Sequence, residues 1–200
     1  MTKEELSERL NNSTTPVLVE LGCGQYKLPA AIGIDKRALD GVDIIADLEE
    51  GLSYFPDGSV DTVYSRHVLE HIDNLEPLMR EIYRVLKMNG KHVAIVPHFS
   101  NPYYYSDFTH KHFFGLYTFD YFCETQSIMR YKVPVFYTDY KFTLVERKLI
   151  FKSLYPVRSR IKRYIQKLFN ASPYLQEFYE ECLCHLIPCH EVEFVMLRNK

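Results

Sequence analysis

The chain has 200 residues, 46% hydrophobic and 25% charged, with a formal charge of −2. This suits one domain with a sizeable core and excludes a low-complexity or disordered chain. No apolar run approaches the roughly 18 residues needed to cross a bilayer, and the polar segment 1–12 has no signal-like apolar stretch, so a cytoplasmic protein is expected. The charge is uneven: residues 1–146 carry 14 basic and 21 acidic side chains, residues 147–200 carry 10 and 5, and eight Lys and Arg between Arg147 and Gln176 meet no acid. Such asymmetry marks either an anionic partner or a solvated helix face.

A first helix is expected over Glu4–Leu10, then a turn over 11–16. Val17–Leu21 is short, apolar and bounded by glycine, as a buried parallel strand should be. Further strands follow over Ala31–Asp35, Val42–Asp47 and Val60–Ser65. Leu75, Leu78, Met79, Ile82 and Leu86 recur at helical spacing between Asp73 and Lys87, and Asn89-Gly90 supplies a helix stop before a strand over Lys91–Pro97. Phe142–Phe151 and Val192–Leu197 read as a closing antiparallel pair, with two helices over 157–187 broken at Ser172-Pro173. Strands alternating with helices indicate an open α/β sheet, mostly parallel with one antiparallel strand. Ligands of such sheets bind beyond the carboxyl ends of the strands, where Gly22, Asp35, Asp47 and His67 fall.

Glycine turns after a first strand also open dinucleotide sites, but the spacing here differs. Only Gln25–Ala31 separate Gly24 from the second strand, and Pro29 lies among them. A helical crossover needs a dozen residues or more, whereas an extended loop can span a short strand at roughly 3.3 Å per residue. The first crossover helix is therefore expected to be shortened or missing, removing the helix N-terminus on which a pyrophosphate rests. Lys27 also stands where the third glycine of a dinucleotide fingerprint would be.

Glu20-Leu21-Gly22-Cys23-Gly24, Ile32-Gly33-Ile34-Asp35, Ala46-Asp47-Leu48, the run 55–72 and the run 84–97 (RVLKMNGKHVAIVP) come in the order of the motifs of class I S-adenosylmethionine-dependent methyltransferases. Over residues 16–98 the chain resembles that family, in its type 11-like form. The resemblance implies a Rossmann-like methyltransferase sheet, to which the helices over 157–187 add a C-terminal helical insertion, and S-adenosylmethionine as cofactor. It also implies a cofactor site formed by Glu20, Gly22, Cys23 and Gly24 at the methionine end, Asp35 on the ribose hydroxyls, Asp47 and the backbone of Leu48 at the adenine, and His67 facing the cofactor.

In this fold the acceptor sits above the fourth and fifth strands. The connection after the fifth strand holds His98, Tyr103, Tyr104, Tyr105, Asp107, His110 and His112 within fifteen residues. A histidine titrating near neutrality is a natural base for an oxygen nucleophile. His98 and then His110 are the expected catalytic residues, with Asp107 orienting one of them and Tyr103, Tyr104 and His112 lining the substrate. The spacing of His98, Asp107 and His110 permits a divalent metal without arguing for one. The cysteines, Cys23, Cys123, Cys182, Cys184 and Cys189, are odd in number and irregular in spacing, which fits reduced thiols. Cys182, Cys184, His185, Cys189 and His190 lack the two separated ligand pairs of zinc modules, so no metal is expected.

The expectation is one methyltransferase domain over 1–200, with residues 157–187 a helical lid before the last strand. Its acceptor is read as a small molecule, an anionic one included, or a carbohydrate- or lipid-linked one. The basic face (Arg158, Arg160, Lys162, Arg163, Lys167) leaves peripheral membrane contact open. The alternatives are a cofactor-binding, non-catalytic partner or regulator, and an RNA methyltransferase using that face. A nucleic-acid partner is the weaker reading, because the domain as a whole is not basic.

Overall fold

A computed structural model describes residues 2–11, 15–124 and 129–199; residues 12–14 of the expected N-terminal turn lie outside that set. Helix α1 (Lys3–Asn11) precedes strands β1 (Leu18–Leu21), β2 (Ile32–Asp35), β3 (Ile44–Ile45) and β4 (Val60–Arg66). Helix α2 (Leu75–Val85) leads into β5 (Leu86–Pro97), followed by β6 (Phe142–Ile150), α3 (Pro156–Phe169), α4 (Pro173–Cys182) and β7 (Glu191–Arg198). All seven strands join one sheet in the order β3-β2-β1-β4-β5-β7-β6. The first five pair in parallel, and β7 runs antiparallel to both β5 and β6. This is the expected Rossmann-like sheet.

No helix stands between β1 and β2. The ten-residue connection is held by side chains instead: Glu20 Oε2 accepts from the Leu28 amide at 2.6 Å, and Asp43 Oδ2 accepts from Lys27 Nζ at 2.5 Å and from the Gly33 amide at 2.8 Å. Gly33 lets this loop lie on the strand, since a Cβ there would stand 2.6 Å from both Cys23 Sγ and Lys27 Cδ. Side chains thus supply the packing a crossover helix would have brought.

α2 buries Leu78, Met79, Ile82 and Val85 at the spacing its sequence predicts. Its end differs from expectation. The helix stops at Val85, and Leu86, 0% exposed, already pairs with Val60. Asn89 (φ 60) then lies inside β5, at a shift in its register with β4, rather than capping a helix. Burial of Leu86 against Val60 is gained by beginning the strand early.

α2, α1 and the aromatic segment 114–123 build the main core on one face of the sheet, which presents Val19, Leu21, Val63, Ala94, Val96 and Phe194. On the other face Tyr64, Val93, Ile95, Val195 and Leu197 stay half-buried. A second cluster (Leu149, Phe151, Phe169, Tyr179, Cys184, Cys189) joins α3 and α4 to β6. Amide side chains satisfy the outer edge of β6. Asn170 bonds both the amide and the carbonyl of Leu149, Gln166 Oε1 accepts from the Phe151 amide, and Gln176 Nε2 donates to the Arg147 carbonyl. They stand in for a further strand and cover an edge that would otherwise be open to pairing. The helical insertion, expected as a lid, therefore runs along the sheet's edge. Its break at Ser172-Pro173 is as expected, with Ser172 capping α4.

His92 lies fully buried on the core face, its Nε2 2.9 Å from Ser65 Oγ and its Nδ1 without a partner. Burial pushes its pKa down to about 3 from an ordinary 6.5. Between those values the unfolded chain binds the extra proton. The neutral ring's contribution is therefore full above pH 6.5 and declines towards pH 3, by about 1.4 kcal/mol per pH unit. Lowering the pH from 7.5 to 5.5 is expected to cost the wild type about 1.4 kcal/mol more stability than His92→Gln, measured by urea unfolding. Equal pH dependence in the two proteins would contradict the buried neutral imidazole.

Candidate functional site

The carboxyl ends of β1, β2 and β4 and the connection after β5 meet at one rim. At the end of β1, Gly22 (φ 60) and Gly24 (φ 55) take a left-handed conformation that favours glycine. A Cβ on Gly22 would come within 2.6 Å of Val68, whereas Gly24 faces open space. The Gly24 amide donates to Asp35 Oδ2 at 2.9 Å, and the Arg37 amide to Asp35 Oδ1 at 2.9 Å. Turn and acid are thus brought together, as the motif spacing implied.

The other residues expected at the cofactor are differently engaged. Glu20 is buried and turned to the crossover loop; burial raises its pKa. Cys23 points at Gly33 rather than outward, and burial, with Asp35 and Glu20 nearby, lifts its thiol to about 11. Asp47 is exposed and caps the 3-10 turn Leu48–Glu50, Oδ1 accepting from the Glu49 amide. The Leu48 side chain is in the core.

His67 ends β4 with φ 52, uncommon for a residue with a side chain. Its Nδ1 lies 3.2 Å from Glu70 Oε1 and its Nε2 2.8 Å from Glu191 Oε1. Burial opposes the charged ring, but the hydrogen bonds to Glu191 and Glu70 outweigh it and lift the pKa to about 9. Glu191, 1% exposed, also takes Lys152 Nζ at 2.6 Å and Arg66 Nη2 at 3.3 Å. Burial works against its charge too, yet His67 and Lys152 hold its carboxyl far below the usual range. His67 is the centre of a carboxylate clamp.

The connection after β5 divides its residues. His98 is 0% exposed, with Nδ1 2.8 Å from Ser100 Oγ and Nε2 3.0 Å from Glu180 Oε2. Both nitrogens are engaged inside the protein, so the residue expected first as a base has none to offer a substrate in this arrangement. Tyr104 is buried too, donating to the His112 carbonyl at 2.7 Å, and His112 Nε2 is buried without a partner. Tyr104 lacks the exposure expected of a substrate contact because loop packing has drawn its ring in, while His112 is half-buried. Tyr103 is 53% exposed.

Asp107 and His110 do come together, Oδ2 to Nε2 at 3.6 Å. They pack on the 3-10 turn Leu69–His71. Thr109 Oγ1 donates to Asp107 Oδ1 at 2.6 Å and lies 2.9 Å from His71 Nδ1, His110 Nδ1 donates to the Tyr104 carbonyl at 3.0 Å, and the Lys111 amide donates to the Glu70 carbonyl at 2.7 Å. The Thr109 hydroxyl and amide bonds lower the pKa of Asp107. Glu70, His71, Glu180 and Glu191 join the site without having been singled out in the sequence. Two polar residues in the apolar run Val68-Leu69-Glu70-His71-Ile72 were a local signal; Glu191, 124 positions from His67, left none. The cluster Cys182, Cys184, His185, Cys189, His190 does not converge: Cys184 and Cys189 are core residues and Cys182 is exposed.

Residues 28–94, from the crossover loop to β5, match the family model of a methyltransferase domain. Among solved structures, the chain is similar to a SAM-dependent methyltransferase from Archaeoglobus fulgidus, at 19% identity over 98% of this chain and 95% of that one, TM-score 0.53. It is also similar to one from Mesorhizobium loti, at 15% identity over 98% of both chains, TM-score 0.54. At these identities the likeness is one of fold. No curated protein matches the chain in sequence. The domain match spans the segment from the crossover loop to β5, about a third of the chain, and the likeness to the solved methyltransferases is one of fold, with the glycine turn at the end of its first strand.

Proposed function

We propose that the chain holds S-adenosylmethionine over the Gly22–Gly24 turn and Asp35, and transfers its methyl group to an oxygen of a small or lipid-linked acceptor above β4 and β5. The observation that supports the first half is the open space beside Gly24 next to an acid tied to that turn. Asp35 would exchange its backbone partners for the ribose hydroxyls, and the Leu48 backbone lies at the adenine end. S-adenosylmethionine held by the glycine turn and Asp35 would supply the methyl, its C–S bond breaking as a C–O bond to the acceptor forms, with S-adenosylhomocysteine the leaving group and the acceptor's proton going to a base or water. Alignment supplies most of the acceleration. Of the expected acid–base groups, His110 and Asp107 remain at the rim, beside exposed Tyr105, Phe108 and Phe113.

The lipid-linked reading rests on α3. Ile150 pairs with Glu191 and Glu191 with Pro97, so β6 delivers α3 to the same edge as the acceptor connection. Lys162, Ile165, Gln166 and Phe169 turn inward. Val157, Ile161, Tyr164 and Leu168 form a second stripe, 55–74% exposed, and Arg160, Arg163 and Lys167 a third. An exposed apolar stripe beside a basic one suits the interface of an anionic bilayer better than RNA, which would use the charge and leave the apolar stripe in water. Among the described residues no helix is long and apolar enough to cross a membrane.

Calorimetry is expected to show S-adenosylmethionine binding at micromolar cofactor, weakened about tenfold or more in Asp35→Ala by loss of a charge-assisted hydrogen bond. Gly22→Ala, strained at φ 60 and against Val68, should abolish it. Unchanged binding in Asp35→Ala removes the cofactor assignment. Sedimentation with phosphatidylserine vesicles should carry down the wild type but not Ile161→Glu. The triple variant Arg160→Gln, Arg163→Gln, Lys167→Gln should lose roughly 100-fold in partitioning, at about 1 kcal/mol for each basic residue. Wild-type protein that stays with the supernatant at low salt turns the acceptor into a soluble metabolite.

A further inference from the structure

The turn 69–71 and the connection 104–113 bring together more acceptors than donors. The Tyr104 carbonyl can only accept, so in a neutral ring His110 carries its proton on Nδ1 and presents a lone pair at Nε2. Thr109 has one hydroxyl proton and donates it to Asp107 Oδ1. Its contact with His71 Nδ1 is therefore donated by the histidine, and His71 Nε2 is a second lone pair. Glu70 Oε1 meets His67, but Oε2, on a side chain 0% exposed, has no hydrogen-bond partner. Asp107 Oδ2 stands 3.6 Å from His110 Nε2. One ligating atom each from Glu70, His71 and His110 lies within 4.8 Å of the others. Acceptors gathered in this way around the buried Glu70 carboxylate repel unless a cation joins them.

We propose that Glu70, His71 and His110 bind a divalent transition-metal ion of zinc-like preference, with Asp107 beside them as a further oxygen ligand. Two imidazoles and one or two carboxylates are a donor set that zinc and its neighbours take. Both histidines tie Nδ1 to an oxygen acceptor, Thr109 or the Tyr104 carbonyl, an arrangement that fixes a metal ligand's tautomer and aims the other nitrogen. His67, held in place by Glu191, does the same for Glu70. The His110 lone pair then serves the ion and not a proton. At the carboxyl ends of β4 and β5 an ion with an open position would take the acceptor's oxygen and ease loss of its proton. That use of the ion rests on the function proposed above; its binding does not.

The test is calorimetry of chelator-dialysed protein with Zn²⁺, and visible absorption with Co²⁺. One equivalent is expected at a Kd of micromolar or below, with a Co²⁺ spectrum of low coordination number. Glu70→Gln, His71→Ala and His110→Ala should each weaken binding about tenfold or more, by analogy with the sensitivity of metal sites to loss of a supporting partner, while His185→Ala leaves it unchanged. S-adenosylmethionine binding measured on the same proteins should persist, so failure of the metal site and failure of the cofactor site read out separately. Should Glu70→Gln fail to fold, as circular dichroism would show, His110→Gln on the connection at the rim gives the same answer. No binding at about 100 μM Zn²⁺, equal affinity in Glu70→Gln and His110→Gln, or binding lost instead in Cys182→Ser overturns the proposal.

Discussion

A single buried carboxylate organises the working edge of this protein. Glu191 begins β7 at the rim where β4, β5 and β6 also end, and a charge in that position is tolerated only when paired. His67 comes from the position just after β4, Lys152 from the segment after β6, and Arg66 from the last position of β4. Meeting Glu191 requires His67 to leave its strand at φ 52. The chain after it turns back so that Glu70 can take the other ring nitrogen. From that turn follow the position of His71, its contact with Thr109, and the bond between Lys111 and the Glu70 carbonyl. Removing Glu191 would leave an imidazolium and two other cations without their common partner.

The cofactor side rests on a different economy. Where the first crossover helix is absent, a ten-residue loop is secured by two carboxylates, Glu20 and Asp43, with Gly33 providing the close approach. S-adenosylmethionine carries no phosphate and needs no helix N-terminus, so the loop removes nothing the proposed cofactor requires. The glycine turn keeps its geometry because Ile34 and Asp35 anchor it from the neighbouring strand, the Ile34 carbonyl accepting from the Cys23 amide.

On the acceptor side, burial sorted a histidine-rich connection into two sets. His98 and Tyr104 turned inward, and Glu180, from α4, closes over His98 and the Leu116 amide. Asp107 and His110 stayed at the rim. The insertion reaches the site through Glu180, while its amides seal the edge of β6.

Local chemistry was legible in the residues alone. Short apolar runs ending in glycine or aspartate marked β1, β2 and β3, the helical spacing of Leu78, Met79 and Ile82 marked α2, and the seven residues from Gln25 to Ala31 were too few for a crossover helix. These depend on neighbours in sequence and on chain length, so the sequence determined them. Which side chain faces which way did not follow. Cys23 and Glu20 sit within the glycine motif yet face the loop, and Asp47 is occupied as a helix cap. His98 and His110 are alike as residues, and only the depth of packing under α4 separated them. The clamp on Glu191 joins residues 124 positions apart, and the gathering of Glu70, His71 and His110 joins two connections. Such pairings arise from strand order, so only the tertiary structure decided them.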